Sequence, residues 1–360
     1  MKRNSLKSYL QDPFLKSLMS DIKSAGGMRS SLLDITHKCN LRCTGCYYFA
    51  EQMNQFKKET SETAFLDFIQ NEVSRDINML TIVGGEPAFE IERLRILAKQ
   101  FKLIVVTNGT IPIPMEGLEN IRIAISFWGD EEQDTILRGN GKQSIFEKSL
   151  SNFHNDPRVG FYYTTIHGYI TNIAKATERM IENGNFVSFN FYADLAQRGG
   201  KYSHKKLFSE VNNEIERLTQ LFPENIVSSP YINKVISSRH LLGNKWGYNV
   251  CPSVTYDHPL NKQRMAVGKY YPTQFRAYNA DLTTTRRCCI GSSRECDTCV
   301  DLWAIYGWVL GSMKEHLTSK KNFTNWLCTT YIFYLQSGFI DWNKNSSLLP
   351  EIYKAFQSAS

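Results

Sequence analysis

Three cysteines stand within eight residues near the start of the chain, at Cys39, Cys43 and Cys46. Thiolates bind iron and zinc, and four of them normally close an iron–sulfur cluster or a structural tetrahedral zinc site. Three thiolates leave one metal position without a protein ligand, and a substrate or cofactor can coordinate there. The spacing C-x3-C-x2-C therefore predicts a metal centre with an open coordination position.

The residues before the cysteines indicate which element positions them. Residues 31–36, with the sequence SLLDIT, form a short apolar run that predicts a buried strand. The cysteines then lie on the loop that leaves the carboxyl end of this strand, where parallel α/β folds place their chemistry. Two later strand ends carry further candidate binding turns, GGEP at residues 84–87 and TNGT at residues 107–110.

The cysteine loop resembles the cluster loop of the radical S-adenosylmethionine (SAM) superfamily, and the GGEP and TNGT turns resemble two further motifs of that family. The resemblance implies that Cys39, Cys43 and Cys46 hold a [4Fe-4S] cluster. It also implies that SAM chelates the fourth iron through its amino and carboxylate groups. One position departs from the family pattern, because the residue before the third cysteine is usually aromatic and here is Gly45.

The resemblance also implies which residues bind SAM. Glu86, in the turn after the second strand, would accept the SAM ammonium group. Ser126, at the end of the fourth strand, and Arg138, in the segment after it, would hold the SAM carboxylate, which a guanidinium binds in two-point fashion. An ordinary strand-to-helix turn, a turn serine and a solvated arginine are the structural alternatives. The predicted cofactor-binding residues are Gly84, Gly85, Glu86, Asn108, Ser126 and Arg138.

Strands and helices alternate between residues 31 and 192. Six runs of this stretch predict strands, and the short connections favour parallel strands with right-handed crossovers. Six such units resemble the partial (β/α)6 TIM-like barrel of the superfamily, in the α/β class. The predicted domains are an N-terminal helical extension (1–30), a radical SAM core (31–200), a helical connector (201–250), a cysteine-rich auxiliary-cluster region (251–300) and C-terminal helices (301–360).

A second group of cysteines lies in the last third of the chain, at Cys251, Cys288, Cys289, Cys296 and Cys299. Cys296 and Cys299 form a C-x2-C pair, which can chelate one zinc ion or two irons of a cluster from a single turn. The placement resembles the SPASM or twitch modules that carry auxiliary clusters, although the full SPASM pattern needs more cysteines. We expect a second iron–sulfur cluster on Cys251, Cys289, Cys296 and Cys299, with Cys288 as a substitute for its neighbour. A zinc site and structural thiols are the alternatives.

The composition restricts the class of protein. The 360 residues suffice for one large domain with appendages, and 42% hydrophobic residues is typical of globular proteins. No apolar run approaches the roughly 18 residues of a membrane helix, and no signal peptide is evident, so we expect a cytoplasmic protein. In that compartment nine cysteines favour metal or redox chemistry over disulfides. Cys328, in a helix-like segment, is interpreted as a core thiol.

The resemblance implies an enzyme that reductively cleaves SAM to methionine and a 5′-deoxyadenosyl radical, which then modifies a peptide or small-molecule substrate. The implied cofactors are a [4Fe-4S] cluster, SAM and a second cluster. The implied partner is an electron donor such as flavodoxin or ferredoxin, and the net charge of +7 suits an acidic donor, an anionic substrate or simply solubility. No nucleic-acid partner is evident. The alternative is an iron–sulfur or zinc-binding protein without turnover.

Overall fold

The computed structural model describes residues 2–50, 53–55, 60–139, 141–142, 144–165, 172–192, 205–245, 247–267, 274–290, 296 and 299–358. Within these ranges, one mixed sheet of eight strands forms the centre of the molecule. The strands are β1 (Ser30–Asp34), β2 (Met79–Val83), β3 (Lys102–Thr107), β4 (Arg122–Trp128), β5 (Val159–Thr165), β6 (Phe186–Phe191), β7 (Ala277–Tyr278) and β8 (Thr285–Arg286). Their order in the sheet is β6-β5-β4-β3-β2-β1-β7-β8.

The first six strands are parallel, and each pairs with the next strand along the chain. The carboxyl ends of all six therefore lie at one edge of the sheet, and the loops that follow them share that edge. Helices cover such strands, so their residues are buried on both faces, and every residue of β5 is buried. The predicted α/β class with a partial barrel is confirmed.

The strands β7 and β8 were not predicted, because two residues are too few to give a periodic pattern. β7 pairs in parallel with β1, with Leu32 opposite Ala277, and in antiparallel fashion with β8. The segment predicted as a cysteine-rich region thus extends the barrel sheet directly. It joins the sheet beside the strand that leads into the three-cysteine loop.

Helices cover the sheet and precede and follow it. In the part of the chain that the structure describes, the α-helices are α1 (Lys2–Tyr9), α2 (Pro13–Ala25), α3 (Tyr47–Ala50), α4 (Glu62–Ser74), α5 (Ile91–Ala98), α6 (Glu131–Leu137), α7 (Ile145–Asn152), α8 (Ile173–Glu182), α9 (Lys205–Leu221), α10 (Pro230–Ser238), α11 (Lys262–Val267), α12 (Leu302–Gly311), α13 (Met313–His316), α14 (Lys320–Gln336), α15 (Trp342–Asn345) and α16 (Leu349–Ser358). Among these described elements, none has the length and hydrophobicity that crossing a membrane requires.

Two helices, α1 and α2, occupy most of the stretch predicted as an N-terminal helical extension. The Asp12 side chain accepts hydrogen bonds from the backbone N–H groups of Phe14 and Leu15, and Pro13 occupies the first position of α2. α2 packs against α14, the central helix of the C-terminal segment. Cys328 lies in α14 and is fully buried, as expected for a core thiol.

Candidate functional site

The three-cysteine loop follows β1 and lies directly against the turn after β2. The backbone N–H of Gly85 donates to the Thr36 carbonyl at 2.9 Å, and that of Glu86 donates to the Lys38 carbonyl at 2.7 Å. A Cβ atom on Gly85 would lie 1.9 Å from the Lys38 oxygen, and one on Gly84 would lie 2.5 Å from the Thr36 oxygen. Glycine is therefore required for the two backbones to meet.

The thiols of Cys39, Cys43 and Cys46 are half-buried and share one electrostatic environment. Burial, with smaller contributions from the neighbouring Cys46 and Cys39 thiols, raises the pKa of Cys43 to about 11, although Arg138 acts to lower it. Burial likewise raises the pKa of Cys39 and of Cys46. Burial therefore favours the protonated form of these thiols, and metal binding would have to displace protons from them.

A single metal ion and a [4Fe-4S] cluster place different demands on the described residues. Among them, no three Cys, His, Asp or Glu side chains converge closely enough to hold one metal ion. A tetrahedral zinc site would bring all its thiolates to about 2.3 Å from the same ion. A [4Fe-4S] cluster spreads its cysteine ligands over different irons, so its thiols stand farther apart.

Arg138 is a buried guanidinium that contacts the cysteine loop. It is 3% exposed, forms an ion pair with Asp134 at 3.0 Å and hydrogen-bonds the thiol of Cys43. It also donates to the backbone carbonyls of Ser126 and Asn108. Burial opposes its charge, but Asp134 and Cys43 raise the pKa of Arg138 above its ordinary value. Arg138 is therefore not a solvated surface arginine; it places a fixed positive charge beside the second thiol.

Glu86 joins the two predicted turns. Its carboxylate is 1% exposed and accepts hydrogen bonds from the Ala88 N–H at 2.9 Å, the Thr107 hydroxyl at 2.6 Å and the Asn108 N–H at 2.9 Å. Burial raises the pKa of Glu86, and these donors act against that shift. Within this structure Glu86 fixes the TNGT turn against the GGEP turn. Recognition of an ammonium group by Glu86 stays a prediction.

Asn108 contacts the cysteine loop directly, whereas Ser126 contacts Arg138 and the neighbouring strand. The Asn108 amide donates to the Asn40 side chain at 2.9 Å, so this residue contacts the cysteine loop itself. Ser126 lies inside β4 rather than at its end, because β4 continues to Trp128. The Ser126 hydroxyl pairs with that of Thr164 on β5, at 3.1 Å. The turns after β1, β2 and β3 and the guanidinium of Arg138 thus meet at one edge of the sheet.

The second cysteine group lines one pocket. Val254 pairs with Cys288 in an isolated antiparallel bridge, and the Cys299 N–H donates to the Cys296 carbonyl at 3.3 Å. Burial raises the pKa of Cys288 to about 12 and raises that of Cys251 as well. The sequence predicts four ligands with Cys288 in reserve. All five thiols line the pocket, together with Trp308 and other residues of α12: Cys251, Cys288, Cys289, Cys296 and Cys299.

Asp301 lies beside this pocket and was missed by the sequence analysis. The Cys289 thiol donates to its carboxylate at 3.8 Å, and the Ala304 N–H donates to the same oxygen at 2.7 Å. Asp301 thereby caps the amino end of α12. The local sequence does not distinguish Asp301 from an ordinary N-cap residue. Its link to the second cysteine group is shown only by the contact with Cys289, which lies 12 residues earlier in the chain.

The two cysteine groups are joined by a buried ion pair. Arg286 donates to both carboxylate oxygens of Asp34, at 2.8 and 3.1 Å, and also to the Cys289 carbonyl at 3.3 Å. Asp34 is the last residue of β1, immediately before the first cysteine loop. The pKa of Tyr47, raised mainly by burial, also responds to Cys46 and Cys289, so this side chain lies within range of both groups.

A mostly parallel sheet with three thiols after its first strand fits the predicted fold, and the resemblance to the radical SAM superfamily is confirmed by similarity to known proteins. A family model described as a 4Fe-4S single cluster domain matches residues 25–113, which include all three early cysteines.

The individual proteins that this chain resembles share less than a quarter of its residues. Fe-coproporphyrin III synthase of Methanosarcina barkeri (strain Fusaro / DSM 804) is 24% identical, over 54% of this chain and 54% of its own. The chain thus spans about half the length of that curated relative. Among solved structures, anSMEcpe with bound AdoMet has a TM-score of 0.52 at 17% identity, covering 82% of this chain and 84% of its own. The anSMEcpe complex with AdoMet and the Cp18Cys peptide has a TM-score of 0.53 at 15% identity, covering 92% and 99%.

Proposed function

We propose that this chain is a radical SAM enzyme whose [4Fe-4S] cluster is held by Cys39, Cys43 and Cys46. The observation that carries the proposal is the position of these thiols. They lie at the carboxyl end of β1 and against a glycine turn, with the Arg138 guanidinium on one of them. The bound and reduced cluster would supply the electron that cleaves SAM to methionine and a 5′-deoxyadenosyl radical.

The chain's own residues prepare this edge of the sheet. Arg138 favours the thiolate form of Cys43, because a hydrogen-bonded cation stabilises a neighbouring anion. Gly84 and Gly85 let the backbone approach a ligand closely, and the Glu86 carboxylate holds the next turn in place. Tyr48, which is 2% exposed, donates from its hydroxyl to the Thr36 carbonyl at 3.5 Å, so a buried aromatic side chain lies at the start of the loop. Together with Asn108 and Ser126, these groups form the proposed SAM-binding surface.

We further propose a second iron–sulfur cluster in the pocket of the five late thiols. The pocket supplies one more thiol than the four that a cubane takes. Cys288 has the Arg286 and Arg287 guanidinium groups near it, and these favour its thiolate. Cys289 instead faces the Asp301 carboxylate, which disfavours its thiolate. Cys288 is therefore a stronger candidate ligand than its sequence position suggested, and comparison of the two variants decides between them.

The proposed substrate is a peptide or a small molecule, and the proposed electron donor is flavodoxin or ferredoxin in the cytoplasm. One solved relative is named with a bound Cp18Cys peptide, and the curated relative is named for Fe-coproporphyrin III. These names support both substrate classes. An acidic donor protein suits the net charge of +7, since opposite charge favours encounter.

The test of the proposed function is SAM cleavage by the anaerobically reconstituted, dithionite-reduced protein. We expect the wild-type chain to bind iron and sulfide and to form methionine and 5′-deoxyadenosine. The Cys43→Ala variant is expected to lose the first cluster and the cleavage. Cys328→Ala is the matched control, because this thiol is fully buried in α14 and belongs to neither cysteine group. Cleavage that persists in Cys43→Ala would contradict the proposal.

The second site has its own measurement. Iron counts per chain are expected to fall by about four between the wild type and a Cys296→Ala/Cys299→Ala variant, while SAM still perturbs the spectrum of the remaining cluster. Cys288→Ala is expected to lose more iron than Cys289→Ala. Equal iron counts in the wild type and the double variant would contradict a second cluster, and zinc in place of iron would support the alternative metal.

A further inference from the structure

The loop between the second and third thiols carries a glycine where the superfamily motif usually has an aromatic residue. Gly45 has a φ of +74°, which side chains other than glycine rarely adopt. A Cβ atom at this position would lie 2.2 Å from the hydroxyl oxygen of Tyr192. The absence of a side chain at position 45 therefore leaves the space that Tyr192 occupies.

Tyr192 reaches this space from the carboxyl end of β6. Its hydroxyl donates to the Gly45 carbonyl at 2.8 Å, and its backbone N–H donates to the carbonyl of Thr165, the last residue of β5, at 3.0 Å. Its ring packs edge-to-face with the indole of Trp128, with centroids 5.4 Å apart and an interplanar angle of 62°. Both side chains are half-buried, so part of each ring remains open at this edge of the sheet.

Trp128 is tied to the thiol loop by a second route. Its backbone N–H donates to the Asp134 carboxylate at 2.8 Å, and Asp134 holds Arg138, which hydrogen-bonds the thiol of Cys43. The N–H of Thr44 in the cysteine loop also donates to the Leu137 carbonyl, at 2.8 Å, at the end of α6. The aromatic pair and the thiols are therefore held in a fixed relative position.

We propose that Tyr192, braced by Trp128, supplies the aromatic surface that the cysteine loop lacks at position 45, and that it contacts the purine ring of the nucleotide bound there. This inference rests on the proposed function, because it takes that nucleotide to be SAM. Base stacking on an aromatic side chain changes affinity by about fivefold to more than a hundredfold. Tyr192 is then a binding residue, and the absence of a side chain at Gly45 leaves room for it.

The test measures the dissociation constant of radiolabelled SAM by equilibrium dialysis against the full, anaerobically reconstituted chain, with iron counted in every sample. Tyr192→Leu removes the ring, and we expect affinity to fall at least about fivefold at unchanged iron content. Tyr192→Phe removes only the hydroxyl and is expected to weaken binding about two- to tenfold. The matched control is Tyr334→Phe, because the Tyr334 hydroxyl also donates to a glycine carbonyl at 2.8 Å, that of Gly26.

A double-mutant cycle tests the proposed pairing directly. Gly45→Ala is expected to weaken SAM binding less in the Tyr192→Leu background than in the wild type, because the collision with the hydroxyl is gone. Additive effects would overturn the pairing.

The outcomes for the two proposals differ. Tyr192→Leu with full iron and affinity within twofold of the wild type overturns this inference alone. If Tyr192→Leu loses iron, the Tyr192→Phe variant provides the test instead. A SAM affinity of Tyr192→Phe equal to that of Tyr334→Phe then overturns the inference. Wild-type protein that holds iron and does not bind SAM overturns the proposed function as well.

Discussion

The buried pair between Asp34 and Arg286 gives the sharpest prediction about how the two cysteine groups are held together. The two side chains are 0% and 5% exposed, and both carboxylate oxygens accept from the guanidinium. Arg286→Met keeps the side-chain volume and removes the charge. Removal of one partner of a buried ion pair costs about 3–5 kcal/mol of unfolding free energy, because the other charge stays buried without compensation.

The loss of unfolding free energy in Arg286→Met is expected to depend on pH. The direction of this dependence follows from the pKa of the Asp34 carboxyl group. Burial raises the pKa of Asp34 to about 6, although Arg286 acts to lower it. A raised pKa means that the folded state binds the proton more tightly than the unfolded state, whose pKa is about 3.9. The stability contributed by this proton is therefore present at low pH and is lost as pH rises to about 6 in the wild type.

In Arg286→Met the pKa of Asp34 rises further, because the guanidinium that lowered it is gone. Stability then continues to fall above pH 6, by up to about 1.4 kcal/mol for each pH unit. The difference in unfolding free energy between Arg286→Met and the wild type should be up to about 2.7 kcal/mol larger at pH 8 than at pH 6. Urea unfolding under anaerobic, reducing conditions, followed by tryptophan fluorescence, measures both values.

Arg276→Met is the matched control for this prediction. Arg276 precedes β7 and pairs with Asp257, whose side chain is 42% exposed, so its loss should cost no more than about 1 kcal/mol and show little pH dependence. An equal loss in the two variants, or the same loss for Arg286→Met at pH 6 and pH 8, would refute the reasoning.

Three other predictions concern single positions. Gly85→Ala places a Cβ atom 1.9 Å from the Lys38 carbonyl oxygen, so the iron content of the reconstituted protein should fall by about half or more. In the control Gly27→Ala no atom lies within 4 Å of the new Cβ atom, and the iron content should be unchanged. Glu86→Gln should lower the unfolding free energy by about 1–3 kcal/mol, because an amide cannot accept all three hydrogen bonds of the carboxylate; an unchanged urea midpoint contradicts this. Cys328→Ser should cost about 1–3 kcal/mol by burying a hydroxyl, with iron content unchanged; iron loss would place this thiol in a metal site.

Local sequence was sufficient to predict the first part of the fold. The run of residues 31–36, the glycine turn at 84–87 and the alternation of strands and helices are short-range patterns, and six parallel strands follow from them. The thiol spacing could also be predicted from local sequence, since Cys39 and Cys46 lie within one loop. Their roles as cluster ligands remain a proposal, whereas the position of their loop at the strand end follows from local order alone.

Long-range contacts explain what the sequence did not reveal at the second site. β7 is two residues long, so its place beside β1 depends on pairing rather than on a pattern. The partners in the pair of Asp34 and Arg286 stand 252 residues apart in the chain. Five thiols from three stretches of the chain, at Cys251, at Cys288 and Cys289, and at Cys296 and Cys299, line one pocket beside the segment that this pairing joins to the sheet.

The sequence by itself determined where the thiol loop, the glycine turns and the strands lie along the chain. Each of these features is encoded by a few neighbouring residues. The tertiary structure alone decided that Tyr192 would meet Gly45, 147 residues earlier, and that Arg138 would be buried on Cys43. Such contacts depend on which strand ends share an edge of the sheet. A hydroxyl, a guanidinium and a thiol acquire a common environment only when parallel pairing places those ends together.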